Sequence, residues 1–192
     1  LRRADVIALT AGGNDLLQSL EKNIMVNSDA QMTQKMALLK TEYQQKLTQL
    51  VADVHEVNPR AQVYLFGIYN PVYVYFTNAT MISSSVDQWN QVNQKVAESQ
   101  SRTHFINVNS TLSRGQYQSA SAQAKLKTEN RQNDQAFVDP EKVEQLLKTQ
   151  DSKEKNAYLS TEDHFHPNKK GYNVMATKLS QAIQNNVNWR KR

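Results

Sequence analysis

The sequence predicts an α/β fold built on a parallel sheet. Three short apolar runs stand at 4–10, 62–67 and 104–108, and segments with helical periodicity separate them. This strand, helix, strand order favours parallel pairing through a right-handed crossover, because a parallel neighbour cannot be reached by a hairpin. A chain of 192 residues can bury a full core, so we expect one domain over residues 1–192.

The first run, residues 4–10, is almost continuously apolar and ends at two glycines. That pattern is typical of a strand buried on both faces of a parallel sheet. Asn14 or Asp15 is then expected to cap a short helix that continues through the leucines at 16–20, since either side chain can accept from the free amides of a first turn.

Longer helices are predicted from apolar residues spaced three and four apart. One amphipathic helix is expected from about residue 28 to 57, and its period favours a single helix packed on the sheet over a two-chain coiled coil. Ser85 and Gln88 fit a capping box that opens a second helix. The last helix is expected to begin at Asn168.

Residues 113–157 differ from the rest of the chain in composition. They are rich in Gln, Ser, Lys and Asn and poor in large apolar groups, so we expect a mobile insertion outside the core. Asp139-Pro140-Glu141 predicts a helix start within it. The segment is interpreted either as a lid or rim of a site or as decoration.

Charge and composition exclude some classes of function. The net charge of +5 favours anionic surfaces in general, but the lysines are spread along polar helix faces without interleaved aromatic residues, so nucleic acid is not an expected partner. The lack of cysteine excludes disulfides, thiol catalysis and thiolate metal sites. No apolar run approaches the length of a membrane span.

Two polar clusters are candidates for a functional site. Gly12-Gly13-Asn14-Asp15 follows the first predicted strand, and Asp163-His164-Phe165-His166-Pro167 precedes the last predicted helix. Ligands of open parallel sheets bind where the carboxyl ends of the strands and the following loops converge. We therefore expect the two clusters to meet at that edge.

Without cysteine, the nucleophile is either a hydroxyl activated by histidine or a metal-bound water. Asp163 stands three residues before His166, a spacing in a turn that lets the carboxylate accept from one ring nitrogen and leaves the other basic. Asn14 offers a neutral N–H donor suited to an oxyanion. The metal alternative uses Asp163, His164 and His166 as ligands on an extended segment.

An aromatic loop follows the second strand. Its rings are interpreted either as the lining of a pocket or as a cover for the edge of the core. The four aromatic residues are Tyr69, Tyr73, Tyr75 and Phe76.

These residues resemble the SGNH, or GDSL-type, hydrolases. Gly12-Gly13-Asn14-Asp15 looks like the third sequence block of that family, and Asp163-His164-Phe165-His166-Pro167 looks like the fifth. The flanking residues 7–16 and 166–172 are similar to lipase/acylhydrolase-like members from Gram-positive bacteria. The resemblance implies a three-layer α/β/α, flavodoxin-like fold.

The resemblance also implies roles for individual residues. Asn14 would be the oxyanion donor, His166 the general base and later acid, and Asp163 its orienter, in an acyl-ester hydrolase that needs no cofactor. The positions predicted to contact substrate are Gly12, Gly13 and Asn70.

One departure from the family pattern concerns the nucleophile. These enzymes carry the catalytic Ser on the first strand and a Gly amide donor in a second block, and both precede the Gly-x-Asn-Asp block. No Ser precedes Gly12 here. We therefore expect a chain that lacks the first strands of the fold and is hydrolytically inactive alone. The strand at 4–10 would be an exposed edge, and the chain alone would be unstable, self-associate through that edge, or be completed by a separate segment that carries the first strands.

Several alternatives stay open from sequence alone. The chain is interpreted as part of an ester hydrolase, as a non-catalytic binding or scaffold module with the same fold, or as a metal-dependent hydrolase. Small acyl esters, lipids and acetylated sugars all suit the same site chemistry. The basic C-terminal tail favours an extracellular or envelope location, with contact to a membrane surface or cell wall, while a cytoplasmic one stays open.

Overall fold

The computed structural model describes residues 1–16, 29–78, 80–130, 145 and 155–186. Within these residues, three parallel strands form one sheet in the order β1-β2-β3. The strands are β1 (Val6–Thr10), β2 (Gln62–Phe66) and β3 (Thr103–Ile106). The predicted α/β class with a parallel sheet is therefore confirmed, and the register pairs Ile7 with Val63 and Leu65 with Phe105.

The sheet is the middle of three layers. The helices are α1 (Asp29–Val57), α2 (Thr80–Ser99), α3 (Asn109–Arg114), α4 (Ala120–Glu129) and α5 (Lys169–Asn186). Because alternate strand residues point to opposite faces, Leu65 of β2 packs with Leu47 of α1 and Trp89 of α2, whereas Tyr64 packs with Leu179 of α5. None of the described helices combines the length and apolar content needed to cross a membrane.

Helix α1 matches the predicted long amphipathic helix. Its apolar stripe is buried against the sheet and α2, as a single helix packed on a sheet requires, and includes Met36, Tyr43, Leu47 and Val51. The helix ends before Asn58, whose side-chain amide donates to the carbonyl oxygens of Leu1 and Ala4 at 2.8 Å each. These bonds tie the end of α1 to the segment that enters β1.

The prediction that strand β1 is buried on both faces is wrong. Only Ile7 is buried, while Ala8 and Thr10 are exposed. The reason is its place in the sheet: β1 pairs with β2 on one side and, within the described part of the chain, with no strand on the other. The expected exposed edge is thus present in these residues.

Two helix starts also differ from the predictions. Helix α2 begins at Thr80, so Ser85 is a buried interior residue rather than a cap. Met81 and Ile82 pack against the core and extend the apolar face by a turn, which the capping-box pattern did not indicate. The short helix α3 was not predicted from its polar sequence, and Gly115 ends it with a positive φ of 55°.

The segment 113–157 joins the fold at both of its ends. Leu126 of α4 is fully buried, the Asn130 side chain donates to the Val74 carbonyl at 2.8 Å, and Asn156 donates to the Leu112 carbonyl at 2.7 Å. The expectation that the whole segment lies outside the core is therefore wrong at these ends. The predicted helix start at 139–141 lies outside the described residues, so the lid and decoration alternatives both remain predictions.

Candidate active site

The first polar cluster forms a tight turn at the carboxyl end of β1. Gly12 is buried with φ at +95°, a conformation that favours glycine, and a Cβ there would overlap the Tyr43 hydroxyl. Residues 13–16 are helical, and the Leu16 amide donates to the Gly12 carbonyl at 3.0 Å. The prediction that Asn14 or Asp15 caps this helix is wrong, because the chain already turns at Gly12.

Asn14 consequently lies in the first turn of the helical residues, where it is exposed. Leu16 is buried in the core, as predicted, and the remaining leucines of 16–20 fall outside the described residues. Gly13 is half-buried, and a Cβ built on it would make only an ordinary 3.9 Å contact with Ile68. The turn therefore presents Asn14 to solvent beside the loop that leaves β2.

The second cluster contains a carboxylate–imidazole pair. The Nδ1 of His166 lies 2.6 Å from the Oδ2 of Asp163, and the Oδ1 of Asp163 accepts from the amides of Phe165 and His166 at 2.9 Å each. The spacing of three residues predicted this contact. With Nδ1 held by the carboxylate, Nε2 is the ring nitrogen left to accept a proton.

These hydrogen bonds also keep the carboxyl group ionised. Burial acts to raise the pKa of Asp163, but the bonds from the His166 ring and from the Phe165 and His166 amides outweigh it and hold the pKa below its usual value. An ionised Asp163 requires the proton of the imidazole to stay on Nδ1. Both side chains are partly open to solvent, at 66% for His166 and 43% for Asp163.

The loop after β2 brings the two clusters to one edge of the sheet. Ile68 lies against Gly13 of the first cluster, and the hydroxyl of the next residue, Tyr69, donates to the Phe165 carbonyl at 2.7 Å. Burial raises the pKa of Tyr69, and the nearby Tyr172 and Asp163 add to the shift, so the hydroxyl remains a donor. Neighbouring residues of one loop thus contact both clusters.

Asn70 was predicted to contact substrate. Its side chain is only 2% exposed, with Oδ1 accepting from the Val72 amide at 3.1 Å and Nδ2 donating to the Ser83 hydroxyl at 3.2 Å. Its own amide donates to the Ser113 hydroxyl at 2.8 Å. These contacts shape the loop; the substrate role stays a prediction.

Two of the four loop aromatics contact the segment that carries the second cluster. Besides Tyr69, Tyr75 accepts from the Lys155 amide at 3.1 Å, and its ring stands edge-on to His164 at 6.4 Å. Phe76 is buried. These contacts agree better with a covering and bracing role than with a free aromatic lining.

His164 and His166 lie in different environments. His164 is 2% exposed, has a positive φ of 54° and donates its amide to the Ser160 carbonyl at 3.0 Å, whereas His166 is exposed. The metal alternative needs an extended segment with both rings on one side, but residues 161–166 form turns. No three His, Cys, Asp or Glu side chains in the described ranges are arranged to share a metal ion.

Asn168 fixes the start of α5 behind the second cluster, as predicted. Its Oδ1 accepts from the amides of Lys170 at 2.8 Å and Gly171 at 3.1 Å, while its Nδ2 donates to the Leu159 carbonyl at 2.6 Å. Pro167 forms an isolated antiparallel bridge with Leu159. The loop that carries the Asp163–His166 pair is therefore closed at its base before α5 begins.

Sequence reasoning missed two residues that contact the clusters. Tyr69 was noted only as one of four aromatics, and its position directly after the strand was the one available signal. Tyr43 occupies an apolar-period position of α1, where nothing distinguishes it from a core residue.

Comparisons with known proteins identify the family and the fold. Residues 1–174 match the profile of the GDSL-like Lipase/Acylhydrolase family. The chain is 22% identical to the uncharacterized protein YpmR of Bacillus subtilis (strain 168) over 185 residues, which are 96% of this chain and 56% of that protein. It shares the fold of the lipase Lip_vut3 from a goat rumen metagenome, known from a crystal structure, with a TM-score of 0.55 and 22% identity over 94% of this chain and 65% of that one. The chain thus spans less than two thirds of either relative.

Proposed function

Because this chain belongs to the GDSL-like lipase/acylhydrolase family, we propose that it supplies the base, the orienting acid and one oxyanion donor of a serine-type ester hydrolase. The observation that carries the proposal is the 2.6 Å contact between His166 Nδ1 and Asp163 Oδ2. It fixes the proton on Nδ1 and gives Nε2 the lone pair that a hydroxyl nucleophile needs.

In the proposed reaction, His166 Nε2 takes the proton of a serine hydroxyl as its oxygen attacks the ester carbonyl carbon. The Asn14 side-chain amide donates to the oxyanion of the tetrahedral intermediate. His166 then gives the proton to the leaving alcohol, and a water repeats the sequence to release the acid. Asp163 stays ionised throughout and stabilises the imidazolium.

The nucleophile is the part that we assign to a segment outside this chain. No Ser precedes Gly12 in the sequence, and the chain corresponds to 56% of the length of YpmR. We therefore expect the isolated 192-residue chain to be inactive, and the complete gene product to hydrolyse esters.

An aryl acetate assay on both proteins tests the proposal. We expect turnover by the complete gene product, lost in its His166→Ala variant, and none by the isolated chain. Hydrolysis by the isolated chain that His166→Ala abolishes would put the nucleophile inside these residues. A complete gene product that folds and binds ligands but releases no acid would instead support the non-catalytic binding module.

The substrate class follows from the same assay with a panel of acyl donors. Small acyl esters, lipid esters and acetylated sugars each fit the proposed chemistry, and lipids are included because Lip_vut3 is described as a lipase.

An envelope or extracellular location, with contact to a membrane surface or cell wall, is part of the proposal and is supported by the net charge of +5. Fractionation of cells that express the complete gene product tests it.

The open edge of β1 supports a further part of the proposal, that the isolated chain self-associates. Ala8 and Thr10 are exposed on a strand that pairs with β2 alone among the described strands. Lysine on an edge strand opposes strand pairing. Sedimentation of the isolated chain should show concentration-dependent association that Ala8→Lys weakens, and a monomer at all concentrations would contradict this part.

A further inference from the structure

A buried polar network lies beneath the turn that carries Asn14. The Tyr43 hydroxyl, in the middle of α1, donates to the Asn93 Oδ1 at 2.6 Å and lies 3.2 Å from the Ala11 carbonyl oxygen. Asn93, on α2, is fully buried, and its Nδ2 donates to the Phe66 carbonyl at the end of β2 at 3.4 Å. The network therefore joins two helices, one strand and the turn.

The orientation of the Asn93 side-chain amide determines which groups of the network donate hydrogen bonds and which accept them. Its amide nitrogen faces the Phe66 carbonyl, so its Oδ1 faces Tyr43 and must accept the hydroxyl proton. Burial raises the pKa of Tyr43, and the charge of Asp15 adds to that shift, which keeps the hydroxyl protonated. The Ala11 carbonyl lies close enough to share this proton.

The ring of Tyr43 is held independently of its hydroxyl. It stacks on Trp89 with the ring centroids 5.7 Å apart and an angle of 18° between the planes. Phenylalanine would fill the same space in this core, so packing alone does not explain the hydroxyl. A buried hydroxyl is costly unless it is hydrogen-bonded, and here its partners are Asn93 of α2 and the Ala11 carbonyl of the turn.

The turn closes directly on the hydroxyl. Gly12 has φ at +95°, and a Cβ at this position would overlap the hydroxyl of Tyr43. The backbone at Ala11 and Gly12 therefore rests on Tyr43, and Asn14 follows two residues later. Any shift of Tyr43 or Asn93 would move the start of the helical turn on which Asn14 stands.

We propose that Tyr43 and Asn93 are a positioning pair for the oxyanion donor: they hold Ala11 and Gly12 so that the Asn14 side chain meets the developing oxyanion. Neither residue touches substrate, so both act through Asn14. The inference rests on the proposed role of Asn14 as oxyanion donor, and the experiment is chosen to separate the two.

The test compares Tyr43→Phe, Asn14→Ala and the double variant in the complete gene product, with kcat and KM measured on an aryl acetate. Tyr43→Phe should lower kcat about tenfold and change KM by less than about twofold, because the ring stays and only the position of a transition-state donor is lost. In the Asn14→Ala background the same change should lower kcat by less than about twofold.

Tyr64→Phe is the matched control. It also removes a buried tyrosine hydroxyl, but from the core on the opposite face of the sheet, and kcat should stay within about twofold of the parent. Should Tyr43→Phe fail to fold, Asn93→Ala tests the same pair and must show the same dependence on Asn14.

Two results would overturn the inference. One is an unchanged kcat in Tyr43→Phe. The other is an equal loss with and without Asn14, which would mean that Tyr43 acts on general stability. An Asn14→Ala variant with unchanged kcat would reject the proposed role of Asn14 itself, a result distinct from both.

Discussion

The two halves of the candidate site are held by contacts of different range. In the loop that carries the proposed base, the base loop, Asp163 bonds to residues two and three positions away. The turn that carries Asn14 rests on Tyr43, which lies 32 residues from Ala11 and 50 residues from Asn93. The Asp163–His166 pair is thus largely preformed by local sequence. The turn that carries the proposed oxyanion donor, the oxyanion turn, depends instead on the packing of α1, α2 and β2.

The largest effect is expected from a substitution in the base loop, the half of the site held by local contacts. Asp163→Asn keeps an Oδ1 acceptor for the loop amides but presents an amide donor to the ring, which favours the imidazole tautomer with Nδ1 unprotonated. We expect kcat of the complete gene product to fall about a thousandfold or more, with the fold retained. Glu162→Gln, an exposed neighbour, is the matched control and should keep kcat within about twofold.

The next largest effect is expected from a substitution in the oxyanion turn, the half of the site held by long-range contacts. Gly12→Ala places a Cβ at φ +95° against the Tyr43 hydroxyl, so we expect the free energy of unfolding to fall by about 2 kcal/mol. Gly13→Ala, one residue later, is the control, since a Cβ there makes an ordinary 3.9 Å contact; its unfolding free energy should change by less than about 1 kcal/mol. Equal changes in the free energy of unfolding by urea for the two variants would contradict the close contact between Gly12 and Tyr43.

A smaller effect is expected where the two halves meet. Tyr69→Phe removes the 2.7 Å bond to the Phe165 carbonyl, a non-local bond that braces the base loop from the loop after β2. The free energy of unfolding should fall by about 1 kcal/mol. Tyr172→Phe, at a 54% exposed position, should change it by only a few tenths of a kcal/mol, and the same loss in both variants would mean that the Tyr69 hydrogen bond does not brace the base loop.

The same difference in range explains what could be predicted from the sequence. The strands, the long helix and the Asp163–His166 contact follow from local periodicity and spacing, and all are present. The polar role of Tyr43 was not predictable, because its position in the apolar stripe of α1 is shared with Met36 and Leu47. The exposure of β1 depends on which strands flank it, and this is set by the sheet rather than by the strand.

The first helical turn begins at a different residue from the one that its cap motif predicts. Asn14 and Asp15 are both good cap residues, yet the turn begins at Gly12, because the chain must bend over the Tyr43 hydroxyl before it becomes helical. A cap preference worth about 1 kcal/mol cannot compete with the packing of two helices beneath the turn. Cap preferences therefore did not predict where this turn begins, because contacts with residues distant in the sequence decide it.

The smallest expected effect is a difference in acid sensitivity between the halves. The pKa of Asp163 is lower in the folded protein than its ordinary value of 3.8, so its bonds contribute fully above that value and are lost as the pH falls through the folded pKa. The hydrogen bonds of the Tyr43 network join neutral groups, the Tyr43 hydroxyl, the Asn93 amide and the Ala11 carbonyl, and burial keeps the hydroxyl protonated. Acid should therefore loosen the base loop before the oxyanion turn.

Hydrogen exchange of the backbone amides between pH 5 and pH 3 checks this order. The amides of Phe165 and His166, which donate to Asp163, should lose protection relative to the Leu16 amide, which donates to Gly12. In Asp163→Asn, which has no carboxylate at this position, the pH-dependent part of the loss should disappear after correction for intrinsic exchange rates. Parallel loss of protection at all three amides would mean that the two halves open as one unit, and that the range of their contacts does not separate their stabilities.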